Sequence, residues 1–132
     1  MRYRYIAYKY TRRGRPDAAF QSLWDSFGAW PGQSTMVWRP PTDVYETRGH
    51  FIILIELAGV SEENMSVTLF SDLLVVEGRR EQPALVDMNA CHQLGIKYGD
   101  FRAEIILHTP VDHDQVQAEY KNGLLMITLV KR

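Results

Sequence analysis

The densest group of chemically capable side chains lies in the segment HTPVDHDQ, residues 108–115. His108 and His113 carry imidazole nitrogens, Asp112 and Asp114 carry carboxylate oxygens, and both types of atom bind divalent cations. Their spacing matches no metal-binding motif that we recognise, and Asp112 stands where a residue caps a short helical stretch. We prefer the capping interpretation, so the sequence predicts no metal site and no cofactor.

The sequence also lacks the motifs of common catalytic sites. It contains no G-x-S-x-G nucleophile elbow, no glycine-rich phosphate loop and no Cys-His pair at a suggestive spacing. Residues 61–64, Ser-Glu-Glu-Asn, resemble a capped helical turn more than an acid–base pair. We therefore predict that the protein is not an enzyme.

Composition places the chain among single-domain globular proteins. It has 132 residues, of which 45% are hydrophobic, and a net charge of −1. No apolar run approaches the roughly 20 residues of a membrane helix, and the N-terminus lacks the apolar region of a signal peptide. The single cysteine, Cys91, can form no internal disulfide, which is typical of a reducing compartment. These features predict a cytoplasmic protein without stable membrane insertion.

The charge is divided between a basic arm and an acidic body. Residues 1–40 hold seven basic and two acidic side chains, and residues 41–132 hold eight basic and fourteen acidic ones. The two parts should attract each other, within one chain or between subunits. Tyrosines alternate with basic residues in the arm, as single-stranded nucleic acid would require, but the low net charge of the chain favours no nucleic-acid partner.

The elements that must position these side chains are strands. Apolar runs of strand length follow residue 43, separated about every ten residues by turn-forming residues. Hairpins are predicted at Arg48-Gly49, at Ser71-Asp72 and at Asn122-Gly123, where both residues tolerate the positive φ of a tight turn. About seven strands without a long helix predict an all-β, immunoglobulin-like antiparallel sandwich. In the last strand, alternation assigns Leu125, Ile127 and Leu129 to the core.

Two segments depart from this rhythm. Residues 81–97 form a connection longer than the 12–15 residues or so of ordinary loops, which indicates a functional role. Residues 16–30, PDAAFQSLWDSFGAW, begin with a helix-start signal and then repeat large apolar residues at helical spacing. The repeated positions are Phe20, Leu23, Trp24 and Phe27. The aromatic face of this short helix either packs on the sandwich or docks between subunits and on partner proteins.

From Pro40 to Leu129 the chain resembles the α-crystallin domain of the small heat-shock proteins, of bacterial or archaeal type. The matching segments are PPTDVYETRGHFIILIELAGVSEENMSVTL, LLVVEGRRE, YGDFRAEIIL and PVDHDQVQAEYKNGLLMITL. The match is most specific in the closing hairpin, where Ala118, Asn122 and Gly123 fit the family's A-x-x-x-N-G-V-L element. The resemblance divides the chain into an arm at 1–39, partly helical or disordered, and an α-crystallin domain at 40–130.

The resemblance implies an ATP-independent chaperone that holds unfolding proteins and self-associates. It implies a homodimer made by exchanging a strand from the long loop, and possibly larger oligomers. The exchanged strand would be Ala90, Cys91, His92, Gln93 and Leu94. The client-binding and assembly contacts would be Phe20, Leu23, Trp24, Phe27, Trp30 and Trp38. An alternative is a p23-like interaction module or co-chaperone that serves one specific partner.

Family members usually continue past the last strand with a tail whose Ile-x-Ile motif docks in a groove at a sheet edge. Here the chain ends at Arg132, so a C-terminal extension is essentially absent and smaller or looser assemblies are expected. The groove would be lined by Val67, Leu69, Val116 and Ala118. Its substitute occupants would be Ile6 with Tyr8, or the segment 36–38.

A second departure concerns a charge pair. Relatives commonly carry a Glu and an Arg that help to tie the dimer together, and here Gly95 and Ala103 take those places. Losing both charges is less costly than losing one. The sequence therefore predicts that replacing Gly95 by Glu and Ala103 by Arg would strengthen dimerisation. Arg102 is not expected to substitute, because alternation turns it to the other face.

Overall fold

The computed structural model describes residues 6–8, as backbone, and residues 37–132. The described residues form two four-stranded sheets, which confirms the predicted all-β class. In chain order the strands are β1 (Ile6–Tyr8), β2 (Thr42–Glu46), β3 (His50–Glu56), β4 (Met65–Leu69), β5 (Leu73–Arg80), β6 (Gly99–Ile106), β7 (Val111–Lys121) and β8 (Leu124–Lys131), with a 3-10 helix at Glu62–Asn64. Sheet A has the order β2-β3-β8-β7 and sheet B the order β1-β4-β5-β6.

The three predicted hairpins are confirmed. β2 pairs with β3, β4 with β5 and β7 with β8, all antiparallel. At the last turn Asn122 has φ 54° and Gly123 has φ 78°, both in the left-handed region that the Asn-Gly order favours. The turn is also held against the segment that follows β3, since the Leu57 amide donates to the Gly123 carbonyl at 2.8 Å.

The core lies between the two sheets, and strand alternation decides which side chains enter it. Leu125, Ile127 and Leu129 are fully buried, as predicted, while Leu124 and Met126 on the other face of β8 remain exposed. β5 and β6 supply the facing layer. The largest fully buried side chains are Phe70, Phe101, Ile53, Ile55, Leu57, Leu69, Leu74, Leu125, Ile127, Leu129, Val67 and Val76.

The segment 111–116 corrects one prediction. The structure gives it no helix, because β7 runs through it with a register shift between Val111 and Val116. Asp112 still caps a backbone group, but at this bulge: its Oδ1 accepts from the Asp114 amide at 2.9 Å. Within residues 37–132 and 6–8, no group of three or more His, Cys, Asp or Glu side chains is arranged to hold a metal ion.

Sheet B receives the two parts of the chain that precede β2. β1 pairs in parallel with β4, placing Ile6 opposite Val67 and Tyr8 opposite Leu69. At the opposite edge Trp38 joins β6: its amide donates to the Asp100 carbonyl at 3.0 Å, and its carbonyl accepts from the Arg102 amide at 2.9 Å. In the described part of the chain, no helix is long and apolar enough to span a membrane.

Candidate protein-binding surfaces

β2 offers an unpaired strand edge among the described residues. It pairs only with β3 and lies at the end of sheet A. Val44 and Tyr45 are 49% and 52% exposed there. An edge strand presents a row of free amides and carbonyls that another chain can pair with.

The ladder with β3 shows which backbone groups point outward. The Glu56 amide donates to the Pro41 carbonyl, and the Thr47 amide donates to the His50 carbonyl. Hydrogen-bonded pairs recur at every second residue of an antiparallel ladder, so Asp43 and Tyr45 also face β3. The amide and carbonyl of Val44 therefore point away from β3, toward the free edge.

The long loop supplies exposed apolar side chains. Residues 81–98 contain no strand in this chain, and residues 81–97 are all exposed. The predicted exchange residues 90–94 lie here without pairing to any described strand. The apolar loop residues and their exposures are Leu85 65%, Val86 84%, Met88 59%, Leu94 82% and Ile96 65%. Five apolar side chains in solvent along one loop indicate a surface that another molecule covers.

Arg80 anchors the base of this loop. Its Nε donates to the Lys97 carbonyl at 2.8 Å, and its Nη1 donates to the Ala58 carbonyl at 3.1 Å. Its guanidinium also lies 4.4 Å from the centre of the Trp38 ring, within cation–π range. The loop therefore starts and ends at a fixed point beside a cleft of about 640 Å³, which Trp38, Arg80 and Tyr98 help to line.

The predicted groove residues belong to the main core or pack against it. Val67 and Leu69 are fully buried on β4, Ala118 is buried on β7 and Val116 packs partly buried against the same core. The His113 ring nitrogen lies 3.0 Å from the Phe70 carbonyl, joining β7 to the end of β4. The free edge of β4 is taken by the backbone of β1.

Trp38 corrects the predicted set of contact aromatics. It is 8% exposed, packs on Phe101 with ring centres 5.5 Å apart, and donates its Nε1 hydrogen to the Gly99 carbonyl at 3.2 Å. It therefore belongs to the core and to the anchor of Arg80, not to an open surface. The other five predicted contacts, Phe20, Leu23, Trp24, Phe27 and Trp30, lie outside the described residues.

The burial of Ala103 argues against the predicted gain from restoring a Glu–Arg pair at positions 95 and 103. Ala103 is fully buried in the core and faces Val76 across the β5–β6 ladder, so an arginine there would carry its charge into the sandwich. The Cβ position of Gly95 has open space around it. Arg102 does lie on the opposite face, as predicted, where its Nη2 is 2.8 Å from Oε2 of Glu77.

Glu104, on the outer face of sheet B, is an acidic residue whose pKa is shifted from its ordinary value. Burial raises the pKa of Glu104, and the nearby charges of Arg102 and Arg39 only partly oppose it. A carboxyl whose pKa rises on folding lowers stability once it is ionised, and this cost is absent when the carboxyl is protonated in both states. The Glu104 contribution is therefore unfavourable at neutral pH, and the penalty disappears as the pH falls below the ordinary value of 4.5.

Glu104→Gln is accordingly expected to raise the free energy of unfolding at neutral pH. The gain over wild type should shrink as the pH falls through the raised pKa toward the ordinary value of 4.5 and be absent below it, because wild-type Glu104 is then protonated as well. Denaturant unfolding at several pH values measures the difference. Glu119→Gln on the exposed face of β7 controls for the change in net charge. A gain that does not vary with pH would contradict the assigned cause.

The fold and these surfaces have a match among known protein families. The model of the Hsp20/alpha crystallin family matches residues 43–132, more than half of the chain. The chain belongs to the Hsp20/alpha crystallin family. In this Hsp20 protein the matched region contains β3 to β8 and all of β2 except its first residue, and the arm before residue 43 lies outside it.

Relatives and solved structures agree with this membership. The Hsp20 chain is 36% identical over 93 residues to the spore protein SP21 of Stigmatella aurantiaca, covering 70% of this chain and 55% of that protein. It is 26% identical over 123 residues to small heat shock protein C2 of Rickettsia felis, covering 92% and 80%. The structure of heat shock protein 16.0 from Schizosaccharomyces pombe superposes with TM-score 0.65 at 28% identity, covering 70% and 86%.

Two features of this Hsp20 chain were not predicted from its sequence. The Arg80 anchor needs partners at residues 58 and 97, and their proximity follows only from the fold. The Glu77–Arg102 pair joins residues on adjacent strands that no sequence spacing connects. A signal did exist for Arg80, which ends the family-like strand LLVVEGRRE at the start of the long loop.

Proposed function

We propose that this chain is an ATP-independent holdase, which binds unfolding proteins through apolar surfaces and keeps them from aggregating. Membership of the Hsp20 family supports the chaperone class. The observation that carries the proposal is the set of exposed apolar side chains in the loop at residues 85–96, together with the open edge of β2. The protein would act by binding in the cytoplasm, without catalysis and without a cofactor.

The physical basis is non-directional burial of client apolar surface. Each Å² removed from water contributes roughly 25 cal/mol, whatever sequence presents it, so many clients can bind. A further contribution would come from the aromatic side chains of the arm, namely Phe20, Leu23, Trp24, Phe27 and Trp30. Self-association and client binding would use the same kinds of surface and would therefore compete.

Client breadth tests this proposal against a p23-like module that serves one partner. Three unrelated proteins are heated with the chain in the absence of ATP, and soluble complexes are separated by size-exclusion chromatography. A holdase should carry all three clients into complexes. Complexes with none of them, from a chain shown to be folded by circular dichroism, would contradict the proposal.

We further propose that self-association proceeds by strand exchange, with residues 90–94 of one subunit pairing with β2 of another. The free edge at Val44 supplies outward backbone groups, and the exposed loop supplies a segment without a strand partner among the described residues. Such pairing satisfies backbone hydrogen bonds on both sides and covers Leu94 at the same time.

Val44→Pro should weaken this dimer while leaving the fold intact. Proline removes the amide that points to the free edge, and it is tolerated on edge strands at such positions because no ladder bond is lost. We expect the dimer dissociation constant to be at least about tenfold higher than that of wild type. One intersubunit hydrogen bond is lost, and the proline ring also obstructs the approach of the partner strand. Sedimentation velocity over a concentration series measures it.

Val44→Ala is the matched control, since it shortens the side chain and keeps the amide. It should dimerise much like wild type. Equal dissociation constants for Val44→Pro and wild type, with unchanged far-UV circular dichroism, would contradict strand exchange at β2.

A further inference from the structure

The outer face of sheet A carries an exposed apolar patch. Strand alternation places Leu124 and Met126 of β8 on this face, where they are 43% and 44% exposed. The patch extends onto β3 and β2, because directly opposite residues of paired strands share a face. Its members are Tyr45, Ile52, Leu54, Leu124 and Met126. Contiguous exposed apolar side chains of this kind indicate a surface that another molecule covers.

Carboxylates border this patch on both sides. One row of cross-strand neighbours runs over all four strands of sheet A: Asp43, Leu54, Met126 and Glu119. Asp43 and Glu119 are both exposed, and neither forms an ion pair with another described residue. The two apolar side chains therefore lie between two carboxylates that are free to meet cations from outside.

The acidic excess is not cancelled by the rest of the face. The adjacent row, made of Glu56, Leu124 and Lys121, carries one charge of each sign. Residues 41–132 as a whole hold fourteen acidic and eight basic side chains. Two copies that met face to face here would place the same carboxylates against each other. Charge complementarity therefore favours a basic partner over a second copy of this domain.

The width of the row indicates which segment fits it. Asp43 and Glu119 are three strand spacings of about 4.8 Å apart, or about 14 Å in all. An extended chain advances about 3.4 Å per residue, so two basic residues about four positions apart can reach both carboxylates. The residue midway between them points the same way and would lie over Leu54 and Met126.

We propose that the outer face of sheet A binds extended segments of unfolding clients that combine basic and apolar side chains. The proposal rests on the holdase function proposed above and names the kind of client segment that this face selects. Leu54 and Met126 bury the apolar side chain of the client. Asp43 and Glu119 favour clients with lysine or arginine on either side of it and disfavour acidic segments.

Peptide binding tests this selection without a chaperone assay. The probe is a fluorescein-labelled peptide of repeated Lys-Ser-Leu-Ser, and its matched control repeats Glu-Ser-Leu-Ser. Fluorescence anisotropy with the full-length chain measures both dissociation constants. The lysine peptide should bind at least about tenfold more tightly than the glutamate peptide. The difference should shrink at high salt, because exposed charges are screened.

Removing the two carboxylates locates the charge selection. Asp43→Asn with Glu119→Gln should weaken binding of the lysine peptide about fivefold, as the loss of two exposed charge contacts requires. Glu63→Gln with Asp72→Asn is the matched control, since it removes the same charge from exposed positions outside sheet A. It should change the dissociation constant by less than about twofold, because distant exposed charges are screened.

Truncating the patch locates the apolar contact. Met126→Ser should also weaken binding of the lysine peptide about fivefold, because the apolar area that the peptide covers is reduced. Ile106→Ser is the control, since Ile106 is an exposed apolar residue of sheet B. It should bind the peptide as wild type does.

Three outcomes would overturn the proposal, even for a chain that keeps heated clients soluble. The first is equal affinity for the two peptides. The second is lysine-peptide binding that survives both the Asp43, Glu119 change and Met126→Ser. The third is slow thiol labelling of Met126→Cys in the peptide-free Cys91→Ser chain, which would show that the face is already covered. Cover by a second copy would weaken on dilution, and cover by the same chain would not. A failure of the holdase function would appear instead as aggregation of heated clients, which peptide binding does not measure.

Discussion

Gly78→Ala is expected to lower the free energy of unfolding by about 3 kcal/mol, at the upper end of the usual cost of overpacking. A Cβ atom at this position would lie 2.0 Å from the Asn64 carbonyl oxygen, 2.8 Å from the Phe101 ring and 2.9 Å from the Met65 Cα. Two of these three contacts are backbone atoms, which cannot rotate away. β5 would have to separate from the start of β4 to admit one methyl group.

Chemical denaturation followed by tryptophan fluorescence measures this loss. Gly95→Ala is the matched control, because nothing lies within 4 Å of a Cβ there. It should stay within about 0.5 kcal/mol of wild type, as ordinary surface substitutions do. Equal stability of the two variants would mean that β4 and β5 do not approach each other as closely as described.

Ala103→Arg is expected to have an even larger effect, opposite in sign to what family resemblance predicts. The resemblance predicts that arginine here, with Glu at position 95, ties the dimer together. The structure places Ala103 in the core between Phe101 and Ile105, with no exposed surface. A buried ion without a partner costs several kcal/mol, comparable with the roughly 5–15 kcal/mol that stabilises a whole domain.

The variant should therefore be largely unfolded, or at best strongly destabilised, by circular dichroism and thermal melting. Ile106→Arg on the same strand is the control for adding a charge, because Ile106 is 65% exposed. It should melt close to wild type. A folded Gly95→Glu, Ala103→Arg double variant with a tighter dimer would contradict the buried placement and restore the interpretation drawn from the resemblance.

Local chemistry made much of this fold predictable. Asn122-Gly123 fixes its turn because both residues adopt positive φ, and strict alternation from Leu125 to Leu129 has a single consistent burial pattern. The helix predicted after Asp112 failed for a local reason as well. An aspartate that accepts a backbone amide two residues on can do so at a helix start or at a strand bulge, and the sequence does not distinguish them.

The candidate surfaces were less predictable because they depend on distant contacts. Trp38 appears in the sequence as one more arm aromatic, and only its two backbone bonds to β6 show that it belongs to the core. Ala103 occupies a position that the family resemblance assigned to a dimer tie, and its burial follows from its pairing with Val76 on the adjacent strand. The length of the segment at residues 81–97 was enough to predict a functional loop. It did not predict that residues 90–94 would form no strand within the described part of the chain.

Light scattering of a heat-unfolding client, at an equimolar ratio and without ATP, measures holdase activity directly. Scattering should be suppressed when this chain is present, and added ATP should change nothing. Scattering that rises equally with and without the chain, when circular dichroism shows the chain to be folded at the assay temperature, would contradict the holdase function.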